Sequence, residues 1–200
     1  MALRRFSTSN ISGSKSSKVW DGETFPGYFE SIATVVLGST STTVDFTNIP
    51  QNYTHLQIRA TARSAYPGVS TVGSPQLRFN DDSNTNYSNH RFGTFQSGNF
   101  ADGEGNEAQA GGIAWISAAT ATTGIFGAFV MDILDYSNTN KYKTVRTIAG
   151  VDLNGGGGWA AHTSNGWRST SAITKISFLE QANYGWIANS QFALYGIRGA

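Results

Sequence analysis

Hydrophobic and polar residues alternate along much of the chain with a period of two, which is the pattern of β-strands that have one buried face. The clearest case is "THLQIRATARS", where this spacing separates apolar side chains from polar and charged ones. Four apolar residues share one face of the segment: Leu56, Ile58, Ala60 and Ala62. The pattern predicts a strand with one face in the core and the other in water.

Further segments are typical of short strands, and stretches rich in Gly, Ser, Thr and Asn separate them. In chain order they are FESIATVVLG, TTVDFTNIP, PQLRFN, YSNHRFGTFQ, GGIAWISAA, KTVRTIAGV, GWAAHTSNGWRS, ITKISFLEQ and SQFALYGI. We expect the first two to form a hairpin. We expect the last to be the final strand, which ties the C-terminal end into the body.

The segment "GIFGAFVMDILDY" differs because it is apolar on both of its alternating faces. Phe126 and Val130 fall on one face, and Phe129 and Met131 fall on the other. Strands that are buried on both sides have this composition. We therefore predict a central strand that is covered on both sides.

About ten strands without a helical period predict an all-β fold. We interpret it as an antiparallel β-sandwich of jelly-roll type, with an extended N-terminal arm, and a closed barrel is the alternative. Two stretches exceed the usual length of a connection and are predicted to be long loops: ARSAYPGVSTVGSP and QSGNFADGEGNEAQAGG.

Charge is distributed unevenly along the 200 residues, of which 14 are basic and 13 acidic. Residues 1–20 hold four of the basic residues and no acidic one, which leaves ten basic and thirteen acidic residues in the rest. A body this close to neutral lacks the broad basic face that phosphate contacts require, so we expect no nucleic-acid partner. The chain has no cysteine, which excludes disulfides and thiolate metal sites.

We divide the chain into an N-terminal anchoring arm, residues 1–27, and a β-sandwich domain, residues 28–200. The arm mixes basic and apolar residues. This composition favours an arm that docks on another surface over a disordered, solubilising tail. Its predicted partner-binding residues are Arg4, Arg5, Phe6, Ile11, Lys15, Lys18, Val19 and Trp20. No apolar run approaches ~18 residues and no apolar core follows the first arginines, so we expect neither membrane insertion nor a secretory signal.

No sequence motif indicates catalysis. His55, His90 and His162 are far apart in the sequence and lack the spacing of a metal site. The segment "NDDSNTN" resembles only the beginning of a calcium loop, and a turn held by Asx side chains is the favoured interpretation. We therefore expect a protein that is not an enzyme, without catalytic residues, metal or cofactor.

Tryptophan is the residue type most open to a binding interpretation, because it combines a large apolar ring with a polar N–H. Trp159 and Trp167 stand beside glycines, and Arg168 follows the second of them. These three residues are the candidates for contact with a glycan or a protein interface. Trp115, within "IAWIS", is predicted to belong to the core.

Several segments taken together resemble a family of small virion structural proteins of tailed bacteriophages, described as capsid decorations or tail-fibre-like proteins. The resemblance rests on KSSKVWDGETF, IATVVLGSTSTTVDFTNIPQNYTHLQIRATARS, LRFNDDSNTNYS, GWRSTSAITKISF and FALYGI. It implies localisation in the phage particle, with other virion proteins of the capsid or the tail as partners.

The function that this resemblance implies is a non-enzymatic virion structural protein. A capsid decoration or cement protein, attached through the arm, is the leading interpretation. The alternative is a tail-fibre or receptor-binding module that binds a host-surface glycan. By analogy with the architecture, we expect a homo-oligomer and consider a trimer.

Overall fold

A computed structural model describes residues 28–67, 72–95, 98–154, 157–181 and 183–199. These residues form the strands β1 (Phe29–Val36), β2 (Thr43–Phe46), β3 (His55–Ala62), β4 (Val72–Gly73), β5 (Pro75–Phe79), β6 (Tyr87–Phe95), β7 (Gly98–Glu107), β8 (Ile116–Ser117), β9 (Gly127–Leu134), β10 (Lys143–Asp152), β11 (Gly158–Trp167), β12 (Ile176–Glu180) and β13 (Gln191–Ile197). The anchoring arm, with Arg4, Arg5, Phe6, Ile11, Lys15, Lys18, Val19 and Trp20, lies outside the described residues.

The strands form one large sheet and one small sheet. The large sheet has eight strands in the order β1-β13-β3-β9-β10-β11-β6-β7, and the small sheet has three in the order β2-β12-β5. Neighbouring strands run antiparallel throughout both sheets, and β4 pairs with β8 separately. The predicted all-β, antiparallel fold is confirmed, and no helix occurs within the described ranges.

Because the described part of the chain is built from strands and turns, it holds no helix of the length and apolarity needed to cross a membrane.

The core lies between the small sheet and one face of the large sheet, which we call the inner face. The ring of Phe178 on β12 lies 6.0 Å from Phe129 on β9 and 5.2 Å from Phe192 on β13, measured between ring centroids. The predicted inward residues of β3 are buried here: Leu56, Ile58, Ala60 and Ala62. The alternation of β3 therefore predicted its buried and exposed faces correctly.

The predicted hairpin of the first two strands is wrong. β1 pairs with β13 in the large sheet, while β2 pairs with β12 in the small sheet. The turn-rich segment between them carries the chain from one sheet to the other. The prediction that the last strand ties the end of the chain into the body is confirmed, because β13 lies between β1 and β3.

The prediction for β9 is correct in position and wrong in coverage. The strand is central, with β3 and β10 on either side. Phe129 and Met131 are buried on the inner face, but Val130 is 42% exposed on the other side. Within the described residues, the large sheet is thus covered on one face only at this strand.

The opposite face of the large sheet carries a row of three apolar side chains and one histidine. Val130, Ile148, His162 and Phe92 are successive register partners across β9, β10, β11 and β6. Ile148 is 68% exposed and Phe92 is 60% exposed. We call these four residues the outer row.

The glycine-rich acidic segment that was predicted to be a long loop is mostly a strand. β7 pairs along its length with β6 and forms an edge of the large sheet. Its side chains explain why this weak strand sequence pairs: Asp102 is the register partner of Arg91, and Phe100 is the partner of Gly93. A cross-strand ion pair and an aromatic ring over a glycine replace the usual apolar alternation.

Candidate functional site

A cleft opens on the inner face of the large sheet, beside the small sheet. β6, β7 and β11 supply one wall, and the segment 108–126 that connects β7 to β9 supplies the opposite wall. Its volume is about 410 Å³, which is within the range of small-molecule sites. Besides several glycines, it is lined by Ser74, Gln76, Arg91, Phe95, Asn99, Phe100, Asp102, Glu104, Trp115, Trp159 and Gln181. We call it the aromatic cleft.

Four aromatic rings pack together in the cleft. Trp159 on β11 is the register partner of Phe95 on β6, and their ring centroids are 4.2 Å apart. On its other side Trp159 stacks on Trp115, at 5.1 Å and an interplanar angle of 2°. Phe100 meets both indoles edge-on, at 5.0 Å and 5.4 Å. Three strands and one connecting segment thus build a single aromatic surface.

The indole N–H of Trp159 is buried and has no hydrogen-bond partner among the described residues. Buried donors in proteins are nearly always paired, and an unpaired one costs about 1–3 kcal/mol. An unpaired donor in a cleft wall is a group that a bound molecule can satisfy.

Charged side chains form the polar part of the cleft. Arg91 is paired with Asp102, and its guanidinium also donates to Glu104 at 3.3 Å. The buried amide of Asn89 donates to the second carboxylate oxygen of Glu104 at 3.1 Å. The guanidinium lies 5.7 Å from the centre of the Trp115 ring, a cation–π contact. These bonds hold two carboxylates in place beside the aromatic rings.

Gly112 leaves the space that the side chain of Arg91 occupies. Gly112 has a φ of +58°, and a Cβ at this position would lie 2.4 Å from Nη1 of Arg91. Any other residue would therefore strain the backbone and displace the guanidinium. The segment that carries Trp115 can close over Arg91 only because glycine stands here.

Hydrogen bonds on both sides of Trp115 anchor its segment. Ala110 exchanges two backbone bonds with Leu77 on β5, at 2.9 and 3.0 Å. Beyond the tryptophan, the buried guanidinium of Arg63 donates to the carbonyls of Thr122 at 2.9 Å and of Ala121 at 2.6 Å. This wall of the cleft is consequently fixed to both sheets.

Neutral amides occupy the side of the cleft that faces the small sheet. Arg78 donates to the side-chain oxygen of Gln109 at 2.7 Å, and the Gln109 amide donates to the side-chain oxygen of Gln76 at 2.8 Å. The oxygen of Gln76 thus already accepts one hydrogen bond. The NH₂ group of Gln76 can donate to a ligand.

The structure separates the three residues that were predicted as glycan or interface contacts. Trp159 lies in the aromatic cleft, whereas Trp167 at the other end of β11 is 2% exposed and belongs to the core. Trp167 is therefore not accessible to a glycan, which corrects that prediction. Arg168 is exposed and donates to the Thr85 carbonyl at 3.0 Å and to the Asn106 side chain at 2.9 Å.

Asp82 satisfies the indole of Trp167. The N–H donates to a carboxylate oxygen of Asp82 at 2.7 Å, and the Asn84 and Asn86 amides donate to the same carboxylate. Burial works to raise the pKa of Asp82, but the hydrogen bonds from Asn86, Asn84 and Trp167 outweigh it, so the pKa lies below its ordinary value. The predicted Asx turn exists, and it connects β5 in the small sheet with β6 in the large sheet.

Sequence reasoning missed most of the cleft. Trp115 was predicted to be core, yet it is only half-buried and lines the cavity. Arg91 was overlooked, although the alternation of "YSNHRF" puts it on the same face as the buried Tyr87 and Asn89. A charged residue in phase with buried neighbours is a signal that could have been used.

No cation site accompanies the acidic side chains. In the ranges that the structure describes, no group of three or more His, Asp or Glu side chains could hold a metal ion. The carboxylates of Asp102 and Glu104 are instead engaged by Arg91.

Comparisons with known proteins give little further information. No protein-family model and no curated protein matches the chain. Among solved structures, a Scytalido-glutamic peptidase with a peptide-based transition-state analogue matches with a TM-score of 0.24 and 9% identity over 80% of this chain. The chain spans 65% of the length of that peptidase.

A protein of unknown function from Shewanella oneidensis matches with a TM-score of 0.20 and 11% identity, covering 87% of this chain and 77% of the other. With TM-scores this low, neither of the two structures supports an argument about the fold, activity or substrate of this chain.

Proposed function

We propose that the chain is a non-enzymatic structural protein of a bacteriophage particle, and specifically a capsid decoration or cement protein. The anchoring arm attaches it to other virion proteins, and the two-sheet body is displayed. The arm's four basic residues can pair with acidic rims, and its apolar residues can fill pockets on the partner. The proposal needs no cofactor and no catalytic group.

The outer row is the observation that carries this proposal. Its three apolar side chains, Val130, Ile148 and Phe92, are exposed, and exposed apolar side chains grouped on one sheet face are typical of a surface that another protein covers. We propose that a second copy of the chain covers it, in a homo-oligomer such as a trimer. An open depression that includes Val130 and Ile148 of the row, and is also lined by Arg59 and Tyr195, would receive the neighbouring copy.

The finer description of the fold is part of the same proposal. A sandwich of jelly-roll type is supported by the antiparallel pairing in both sheets and by the core between them. Such a body with an attaching arm suits repeated display on a particle.

Deletion of residues 1–20 tests the attachment. We expect the truncated protein to fold but to be lost from purified phage particles, as measured by its copy number per particle. A matched variant keeps the arm at full length and replaces Arg4, Arg5, Lys15 and Lys18 by serine, which separates the contribution of charge from that of length. Undiminished incorporation of the truncated protein would refute attachment through the arm.

The second candidate function is a tail-fibre or receptor-binding module that binds a host-surface glycan. The aromatic cleft favours it, because aromatic rings beside carboxylates and amides are the groups that bind sugars. A glycan array probed with the full chain tests this function. Binding that is lost in Trp159→Ala would support it.

A further inference from the structure

We infer that the aromatic cleft is the binding site for a neutral saccharide, recognised by Trp115, Trp159 and Phe95 together with the amide and carboxylate groups opposite them. The inference rests on the second candidate function and names its site and ligand class. It keeps Trp159 from the predicted contacts and replaces Trp167 and Arg168 by Trp115 and Phe95, whose rings stack on Trp159.

The aromatic rings match the apolar side of a sugar ring. Trp159 lies between Phe95 and Trp115 in a stack, so its own faces are occupied. Phe95 is at the end of the stack and is 38% exposed, which leaves aromatic surface open to a ligand. A pyranose packed against this surface buries its C–H groups and keeps its hydroxyls free for polar contacts.

The polar groups match the hydroxyls. The unpaired indole N–H of Trp159 and the NH₂ group of Gln76 are donors, and the carboxylates of Asp102 and Glu104 are acceptors. A hydroxyl both donates and accepts, so a sugar can satisfy groups of both kinds at once. Few other neutral ligands combine an apolar ring face with so many hydroxyls.

The charges select against acidic sugars. Two carboxylates and one guanidinium meet in the cleft, and the side chains of Asp102 and Glu104 are 50% and 48% exposed. Arg91 is already committed to both of them, so its guanidinium is not free for a ligand carboxylate or phosphate. An anionic ligand would therefore face net repulsion, whereas a neutral one would not.

Titration of the full-length chain with two sets of oligosaccharides tests the inference. One set is neutral and consists of gluco-, manno- and galacto-oligosaccharides, and the other is acidic and consists of oligogalacturonates and sialylated oligosaccharides. We expect saturable binding of at least one neutral compound, followed by tryptophan fluorescence and calorimetry, and no binding of the acidic set. The sugar should be recovered without cleavage of its glycosidic bonds.

Variants locate the site. Trp159→Ala should weaken binding about 10-fold or more, which is the loss typical of an aromatic residue that anchors a ligand. Gly112→Ala should also weaken binding, because it displaces Arg91 without removing any lining side chain. Arg168→Ala is the matched control, since Arg168 is exposed and lies outside the cleft, and it should bind like the unchanged protein. Circular dichroism of each variant establishes that it is folded.

Three results would overturn the inference: no neutral saccharide binds, only acidic saccharides bind, or folded Trp159→Ala and Gly112→Ala bind as well as the unchanged chain. None of these results bears on the arm, because incorporation into particles is measured separately. Release of new reducing ends would contradict the proposal that the protein is not an enzyme.

Discussion

The two ends of β11 differ although the same strand and the same face of the sheet form both. Trp159 and Trp167 are eight positions apart, so both side chains lie on the inner face. At one end, Trp167 is sealed in the core and its indole donates to Asp82. At the other end, Trp159 borders a cavity and its indole has no partner.

The difference lies in what covers each end. The turn after β5 brings Asp82 to Trp167, and the ring of Phe79 on β5 lies 5.4 Å from it. Trp159 is instead faced by Trp115, on a connecting segment that leaves a cleft of about 410 Å³. One end of the strand therefore belongs to the core, and the other borders the cleft in which we propose that a saccharide binds.

Replacing each of the two tryptophans by alanine should reveal the largest difference in stability between the two ends of β11. Trp167→Ala removes a fully packed ring and should lower the free energy of unfolding by about 3–5 kcal/mol. Trp159→Ala should cost no more than about 1–2 kcal/mol, because its ring is only half-buried. Urea denaturation of both variants measures the two losses. Equal losses would show that the ends do not differ in the way we describe.

Asp82→Ala isolates the contribution of the hydrogen bond at Trp167, because it removes the acceptor and leaves the tryptophan ring in place. The buried indole N–H then lacks an acceptor, and the expected cost is about 1–3 kcal/mol at neutral pH. Because the pKa of folded Asp82 is lowered from 3.8, its carboxylate stabilises the fold above that pH, and the gain is lost as the pH falls through the folded pKa.

The gap between the unchanged chain and Asp82→Ala should therefore be widest above about pH 4 and should narrow in more acidic buffer. Denaturation midpoints between pH 2 and pH 7 measure it. A gap that stayed constant over this range would contradict the assigned role of the Asp82 carboxylate.

Ile148→Lys concerns the outer row and should have the smallest effect on stability. The side chain is 68% exposed, so the change in unfolding free energy should stay within about 0.5 kcal/mol. The charge should nevertheless dissociate the proposed oligomer. Thr144→Lys, on the same face of β10 but outside the outer row, is the matched control.

Light scattering coupled to size exclusion gives the mass of each species. A monomeric Ile148→Lys beside an oligomeric Thr144→Lys is the expected result. An Ile148→Lys variant that keeps the mass of the unchanged chain would count against the outer row as an interface.

The sequence was most informative where burial alone decides the side-chain pattern. The alternation in β3 predicted its buried face, because every second residue must enter the core. The apolar character of β9 on both faces misled the prediction of its coverage. Val130 and Ile148 are apolar although they are exposed, and a pattern of hydrophobicity cannot tell a core face from an exposed apolar surface.

The cleft was harder to predict because distant segments build it. β7 has a weak strand sequence, and it pairs with β6 through contacts such as that between Asp102 and Arg91. Trp115 joins Trp159 only after the chain has folded back across the sheet. Such pairings depend on long-range register, which local alternation does not specify. For the same reason, Trp159 and Trp167 looked alike in the sequence.

The indole N–H signals in a two-dimensional ¹H–¹⁵N NMR spectrum test the contrast between the two tryptophans most directly. The chain has five tryptophans, and Trp159→Phe and Trp167→Phe assign the two signals of interest. On titration with the best-bound neutral oligosaccharide, the signal of Trp159 should shift until saturation, because its free N–H gains a partner. The signal of Trp167 should stay in place, because Asp82 already accepts from it. A shift at Trp167, or an unmoved Trp159 under saturating sugar, would contradict the account.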